Sequence, residues 1–349
     1  MAEPSAELGT PEDGETRGRL LFLFLTRFWI FLFLLGLLAY FSITTPGHVF
    51  LHAENLKNIG LDTSEVILLA IGETFVIVTA GIDLSVGGIL VFAGVAGGTV
   101  MVKLSGTHEQ TSNLIFPHDV RGILVGGVVA ILAGSAWGFV NGTLITRLKL
   151  PPFIVTLGTL GMSFGGADLL SGGTNLSSIP TRFQDRFGNG SIGGVYVPVL
   201  VAAAIVGASY VLLRLTRFGV YTAAIGSNEE GARRAGVNVD RHLIKVYTLT
   251  GFLCGVAALI DIARFGTMNL SAHNTDNLNA IAAVVIGGTS LFGGIGTILG
   301  TVVGAFIPTV LQNGFVINGI DPFWQEVLVG ATIIVAVYLD QVRRRRWSS

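Results

Sequence analysis

Charge, cysteine and nucleotide-binding motifs are scarce in this sequence. Only 12% of its 349 residues are charged, whereas about 25% is usual for a soluble domain. The single cysteine, Cys254, excludes an intramolecular disulfide framework and a thiolate metal cluster. No Gly-Lys dipeptide occurs, so a Walker-type phosphate loop is excluded, and the six histidines show no metal-ligand spacing. The sequence therefore predicts a chain without catalytic residues, metal or cofactor of its own, and we expect no nucleic-acid partner.

The sequence is instead rich in apolar residues and glycine. Hydrophobic residues make up 51% of the chain, and its 48 glycines suit helices that approach closely inside a membrane. A transmembrane helix needs about 20 mostly apolar residues. The predicted fold is therefore all-α, a polytopic membrane protein of about ten transmembrane helices surrounded by lipid. The ten predicted spans are residues 20–43, 59–79, 86–102, 122–145, 153–170, 195–213, 243–263, 278–291, 295–311 and 323–339.

The basic residues predict the orientation of these spans. Ten spans place both termini on the same side of the membrane. Fifteen of the 21 Lys and Arg residues then fall in cytoplasmic segments, in agreement with the positive-inside rule. We therefore expect a disordered, acidic cytoplasmic tail at residues 1–16, a transmembrane domain at residues 17–342 and a basic cytoplasmic tail at residues 343–349.

The longest predicted cytoplasmic loop, residues 214–242, carries the signals of a short helix. Ser227 and Glu230 form an S-x-x-E capping-box pattern, and Gly236 stands where a glycine ends a helix. A loop that only connects two spans rarely needs such a helix. We therefore predict that a cytoplasmic partner docks on this loop.

Two glycine-rich segments suggest an internal repeat. GIDLSVGG at residues 81–88 precedes a glycine-rich span, as does GGTSLFGG at residues 287–294. Pro152-Phe153 and Pro322-Phe323 likewise open one span in each half. Glycine-interrupted segments at matching places are typical of transporters, so we predict a pseudo-repeat of two halves.

Two carboxylates in apolar surroundings have both a functional and a structural interpretation. Asp83 could line a gate or solute path, because charge near lipid is costly, or it could cap the third span, and the cap is favoured although both can hold. Glu73 could couple transport to protons, or it could be protonated or hydrogen-bonded in a helix contact. Glu65, two turns earlier, is expected near the outer interface.

The polar run between the seventh and eighth spans, residues 273–279, offers amide and hydroxyl groups. Asn277 and Asn279 suit the hydroxyl groups of a sugar, although an ordinary wet loop explains the same composition. Asp261 and Arg264, three residues apart, are predicted to form an interfacial ion pair.

Three segments resemble the permeases of ribose-, xylose-, arabinose- and galactose-type ABC importers. These segments are IGETFVIVTAGIDLSVGG at residues 71–88, AIAAVVIGGTSLFGG at residues 280–294, and FGVYTAAIGSNEEGARRAGV at residues 218–237, which is similar to the ATPase-docking loop of the family. The resemblance implies a homodimer in the bacterial inner membrane. It also implies a cytoplasmic sugar-type ATPase that binds ATP and Mg²⁺, and an extracytoplasmic solute-binding protein.

The resemblance also implies roles for individual residues. A translocation path or gate would include Glu73, Phe75, Thr79, Asp83, Ser85, Asn277 and Asn279. The coupling loop would include Ser227, Asn228, Glu230, Ala232, Arg233 and Gly236. The chain departs from the family where acidic residues often stand in place of Asn277 and Asn279, and Glu73 occupies a position that is more often neutral.

Other transport functions remain open at this stage. Related permeases for branched-chain amino acids or nucleosides share the ten-span plan. An ion-coupled secondary transporter would use Glu73 or Asp83 and would work alone under an ion gradient. A glycine-rich channel would pass solute without ATP or a gradient.

Overall fold

The computed structural model describes residues 30–321 and 323–347. The predicted tail at residues 1–16 and the start of the first predicted span lie outside them. The chain is almost entirely helical, with short 3₁₀ and π turns at Pro46–Leu51 and Gln184–Gly188. The α-helices are α1 Ile30–Thr44, α2 Ala53–Val78, α3 Val86–Ser105, α4 His108–Ser112, α5 Asp119–Arg147, α6 Pro152–Ser171, α7 Thr181–Phe183, α8 Val197–Leu215, α9 Arg217–Ser227, α10 Glu229–Arg234, α11 Val239–Phe265, α12 Asp276–Ile286, α13 Ile298–Ile317 and α14 Trp324–Trp347.

The lengths and apolar composition of the helices confirm a polytopic membrane protein. Six helices are long and apolar enough to cross a bilayer: α3, α5, α6, α8, α11 and α13. Shorter apolar helices cover Ile30–Thr44, Asp276–Ile286 and Trp324–Val335. The ten-span count and the pseudo-repeat stay predictions. Within the described ranges, the sheet structure is a hairpin that pairs Ser191–Ile192 with Val195–Tyr196.

The predicted eighth span is shorter than expected. Residues 278–291 were predicted to continue as one helix, but α12 ends at Ile286. Gly288 adopts a left-handed backbone with φ +86°, which stops the helix after 11 residues. A helix of this length extends about 17 Å and cannot cross the hydrocarbon core alone.

The centre of the molecule is built by α2, α3, α5 and α11. Helices α5 and α11 pack backbone to backbone, because Gly134 and Gly251 face each other. A Cβ atom at either position would overlap the carbonyl oxygen of the other glycine. Residues 67–78 of α2 are all buried in this core.

Two helix breaks lie next to each other in the structure. Helix α2 ends at Val78, and Ala80 takes a left-handed conformation with φ +63° before α3 begins. The second break joins α12 to α13. The backbone N–H of Gly294 in that break donates to the carbonyl of Val78 over 2.9 Å. The end of α2 and the second break are therefore in direct contact.

Candidate functional site

Three segments meet at the end of α2 to form a junction of residues 78–81, 226–227 and 293–294. A Cβ atom at Gly226 would overlap the carbonyl oxygen of Val78, and one at Gly294 would press against the Ser227 side chain. The segments at residues 71–88 and 280–294 thus both touch the end of α9 directly. We call this contact the three-segment junction.

A cavity of about 860 Å³ opens beside the three-segment junction. It lies between the first helix break, the C-terminal end of α5, the N-terminal end of α11, and the helices α9 and α10. Its lining is polar at one side and includes Thr79, Gly81, Lys149, Asn228, Arg233 and Tyr247. We call it the junction cavity.

Helix α10 begins one residue later than the sequence pattern predicts. The predicted Ser227 to Glu230 capping box is wrong, because Asn228 is the N-cap and its side chain accepts the Gly231 N–H over 2.8 Å. Helix α9 continues through Ser227, so that hydroxyl donates back to the Ala223 carbonyl of its own helix. The predicted end is confirmed: Gly236 has φ +86° and follows Ala235, the C-cap residue of α10.

Helix α10 presents charge outward and one small residue inward. Ala232 is buried against Ile225 and Val239, whereas Glu230, like Arg234, is exposed. Arg234 pairs with Glu230 across one helical turn. Of the predicted loop residues, Ala232 therefore supports the packing of the loop and does not lie on its outer face.

Arg233 ties α10 to the start of α11. Its guanidinium donates to Asp240 on α11 and to Glu229 on α10. The hydrogen bond to Asp240, followed by the one to Glu229, raises the pKa of Arg233 above its usual value. This pairing links α10 to α11 next to the junction cavity.

An aromatic contact joins α9 to the buried part of α2. The rings of Phe75 and Phe218 meet edge to face with centroids 5.8 Å apart. The Phe218 ring also lies 4.5 Å from the imidazole of His242 on α11. A shift of α9 would therefore disturb contacts with both α2 and α11.

Asp83 shapes the first break through hydrogen bonds to Ser85. Its Oδ1 accepts the Ser85 N–H over 2.9 Å and the Ser85 hydroxyl, and Asn141 on α5 donates to that hydroxyl over 2.8 Å. The predicted cap is thus a turn just before α3, because Ser85 is the residue that precedes the helix. Asp83 is fully buried and lies outside the lining of the junction cavity.

The other predicted path residues of α2 differ in their surroundings. Glu73 is fully buried, and its carboxylate oxygens have no hydrogen-bond partner among the described residues. Thr79 donates to the Val76 carbonyl over 2.7 Å and reaches the junction cavity. Among the α2 residues predicted for the path, only Thr79 borders this cavity.

Comparison with known proteins identifies the family. Residues 55–337 match the family described as branched-chain amino acid transport system / permease component. The chain belongs to this permease family. No solved structure matches the permease significantly.

Curated relatives match the permease over most of its length. The fructose import permease of Rhizobium meliloti is 39% identical over 286 residues, which cover 80% of this chain and 75% of the relative. The ribose import permease of Escherichia coli K12 is 35% identical over 318 residues, or 89% and 92% of the two chains. The galactose/methyl galactoside import permease of the same strain is 35% identical over 330 residues, or 91% and 94%.

The permease has a second polar cavity, of about 620 Å³, at the opposite ends of α2 and α11. We call it the distal cavity. The imidazole of His273 lines it and lies 2.7 Å from Asp276, 3.4 Å from Glu65 and 3.5 Å from Asp261. Burial lowers the pKa of His273, but its contacts with Asp261 and Asp276 and the charge of Glu65 outweigh burial and raise it to about 11.

The predicted ion pair between Asp261 and Arg264 is wrong. Arg264 pairs with Asp62 on α2, and Asp261 faces His273 instead. Asp261 and Arg264 both lie on α11, but their side chains contact residues of other segments that line the distal cavity. Sequence spacing alone could not reveal these partners, since Asp62 and His273 are distant in the chain.

The two asparagines of the polar run are in different places. Asn277 is buried, and its side chain accepts the Leu278 N–H over 2.9 Å. Asn279 lines a smaller cavity of about 290 Å³ together with Asp276 and Gln312. Asn279 is therefore the better placed of the two to meet a solute.

Proposed function

We propose that this permease forms the translocation path for a monosaccharide or sugar-like solute in an ATP-driven importer. The match over most of the chain to permeases named for ribose, galactose and fructose import carries this proposal. The family description, which names branched-chain amino acids, supports the alternative function, a permease for branched-chain amino acids or nucleosides. The permease itself is the non-catalytic subunit.

Energy enters through a partner ATPase that docks on α9 and α10. The exposed charges of α10 offer the docking surface, and the three-segment junction passes its movement to Val78 and Gly294. The ring contact between Phe75 and Phe218 carries the same movement into the core of α2. ATP and Mg²⁺ are held by the partner.

The two cavities mark the two ends of the path. Asp62 lines the distal cavity and Thr79 the junction cavity, which places them about 26 Å apart along α2, close to the thickness of the hydrocarbon core. Residues 67–78 between them are all buried. In this proposal the two cavities open in turn, unlike the openings of a permanent channel.

An ion-coupled transporter is less consistent with this arrangement. Glu73 and Asp83 are fully buried and line neither the junction cavity nor the distal cavity. A coupling ion would need access to one of these carboxylates from each side in turn. The proposed partners are instead a second copy of the permease, the ATPase and an extracytoplasmic binding protein.

In the proposed orientation the permease lies in the bacterial inner membrane. Both termini and the junction cavity are on the cytoplasmic side. A reporter that is active only outside the cytoplasm should be silent when fused after Ser349 and active when inserted near Asn189. An active reporter after Ser349 would contradict the even number of spans.

Deletion of the coding sequence in the source bacterium tests the solute class. Uptake of radiolabelled pentoses and hexoses is compared with uptake of leucine and of nucleosides, with and without the gene restored on a plasmid. We expect loss of uptake of a monosaccharide only. Loss of leucine or nucleoside uptake would favour the alternative function.

A further inference from the structure

We propose that Glu65, His273 and Asp276 in the distal cavity bind a divalent transition-metal ion of the zinc class. Their ligand atoms all lie within 4.8 Å of one another. Glu65 comes from α2, Asp276 from the first turn of α12, and His273 from the segment before α12. The donors therefore come from two parts of the chain, α2 and residues 273–276.

The spacing of the donors is close to what such an ion requires. Zinc binds nitrogen and oxygen ligands at about 2.0–2.2 Å, so neighbouring donors of a tetrahedral site lie about 3.3–3.5 Å apart. The distance from His273 Nδ1 to Glu65 Oε1 is 3.4 Å. The distance from His273 Nδ1 to Asp276 Oδ2 is 2.7 Å, so this pair must separate slightly. The proton on Nδ1 is released to solvent when the ion binds, because a metal binds the neutral imidazole. The cavity leaves room for water as a fourth ligand.

A second observation on the other ring nitrogen points to the same ligand. The His273 side chain is only 8% exposed, and its Nε2 has no hydrogen-bond partner among the described residues. Nε2 faces Asp261 Oδ1 at 3.5 Å. Metal-bound histidines commonly donate their second N–H to a carboxylate, which fixes the ring so that the other nitrogen faces the metal. Asp261 stands in that position.

The type of donor decides the class of ion. One imidazole nitrogen with two carboxylates suits zinc and its transition-metal neighbours, whereas calcium and magnesium prefer oxygen donors alone. The nearby cation Arg264 is engaged by Asp62, so it leaves the carboxylates of Glu65 and Asp276 available. A bound ion would link α2 to the start of α12 at the wall of the distal cavity.

Titration calorimetry of ZnCl₂ into the purified, tag-free permease in detergent tests the proposal. We expect one saturable ion per subunit, an affinity at least tenfold weaker in His273→Gln, and a loss of about tenfold or more in Asp261→Ala, which removes the orienting partner and none of the three ligands. His108→Gln, which removes an exposed histidine of α4, is the matched control and should bind as the parent does.

Several results would overturn the metal site. These are the absence of saturable binding by the parent, unchanged binding by His273→Gln, or equal affinity for CaCl₂ and ZnCl₂. Thermal melting first shows that each variant is folded. If His273→Gln is not recovered folded, Glu65→Gln and Asp276→Asn decide instead, and unchanged zinc binding in both would reject the site.

Discussion

At the scale of single residues, Asp83 has a clear structural task. Its carboxylate holds Ser85 through the backbone N–H and the hydroxyl, and Asn141 secures that hydroxyl from α5. The turn before α3 is thereby attached to the helix that packs beside it. This arrangement supports the structural interpretation of Asp83, while a role of its charge stays open to experiment.

We predict that Asp83→Asn is mild and that Asp83→Ala is not. Asparagine retains an oxygen that can accept the Ser85 N–H, whereas alanine should cost about 1 kcal/mol of stability, as losses of comparable side-chain-to-backbone bonds do. Thermal melting and solute uptake at matched protein levels are measured together. Equal loss of uptake in both variants would show that the charge itself is needed.

Residue-level prediction from sequence succeeded where the partner is local. Gly236 ends α10 as its position implies, because the signal lies within a few residues. The partner of Arg264 was missed, because Asp62 lies about 200 positions away in the chain and only packing brings the two together. The cluster around His273 was missed for the same reason, although each member is an ionisable residue near a predicted span end.

At the scale of elements, the packing of α5 on α11 depends on glycine. Gly251→Ala should destabilise the permease by about 1–3 kcal/mol or more, because the new methyl group meets the backbone of Gly134. The same change at Gly161 of α6, where a Cβ atom meets nothing within 4 Å, should leave the melting temperature unchanged or slightly raised. Equal melting of the two variants would contradict the close packing.

Helix α10 can be tested without disturbing its fold. Exchanging Glu230 and Arg234, as Glu230→Arg with Arg234→Glu, keeps the net charge and their ion pair but inverts the pattern shown to a partner. We expect stimulation of the ATPase by the permease to fall about tenfold. Glu109→Arg, an exposed charge on α4, should have no effect.

Because Glu230 and Arg234 are exposed, their exchange tests docking of the ATPase separately from folding. Changing the buried Ala232 to a large charged residue would disrupt the small cluster with Ile225 and Val239, so it cannot report docking alone. Normal ATPase stimulation and normal uptake with the exchanged variant would show that α10 is not part of the docking surface.

The positions of helix ends show what sequence patterns can and cannot specify. The break at residues 79–85 corresponds to the interval between the predicted spans at residues 59–79 and 86–102, and it is present. Asn228 and Ser227 are both good N-cap residues, so the pattern could not choose between them. The early end of α12 depends on the left-handed backbone of Gly288, one of several glycines that could have had this role.

At the scale of the whole molecule, three segments that are far apart in sequence converge. Their similarity to permeases was visible in the sequence, but their contact at residues 78–81, 226–227 and 293–294 was not. At this junction the end of α9, which leads into the proposed docking helix α10, contacts both helix breaks. It also leaves the buried part of α2 between two separate cavities.

The central claim is that the permease moves a sugar only when a partner ATPase drives it. The most direct measurement is uptake of radiolabelled monosaccharide into liposomes that contain the permease and its ATPase, with the binding protein outside. We predict accumulation that requires the binding protein and ATP and that stops with a non-hydrolysable ATP analogue. Accumulation driven by a proton or sodium gradient without ATP, or flux through the permease alone, would contradict the account.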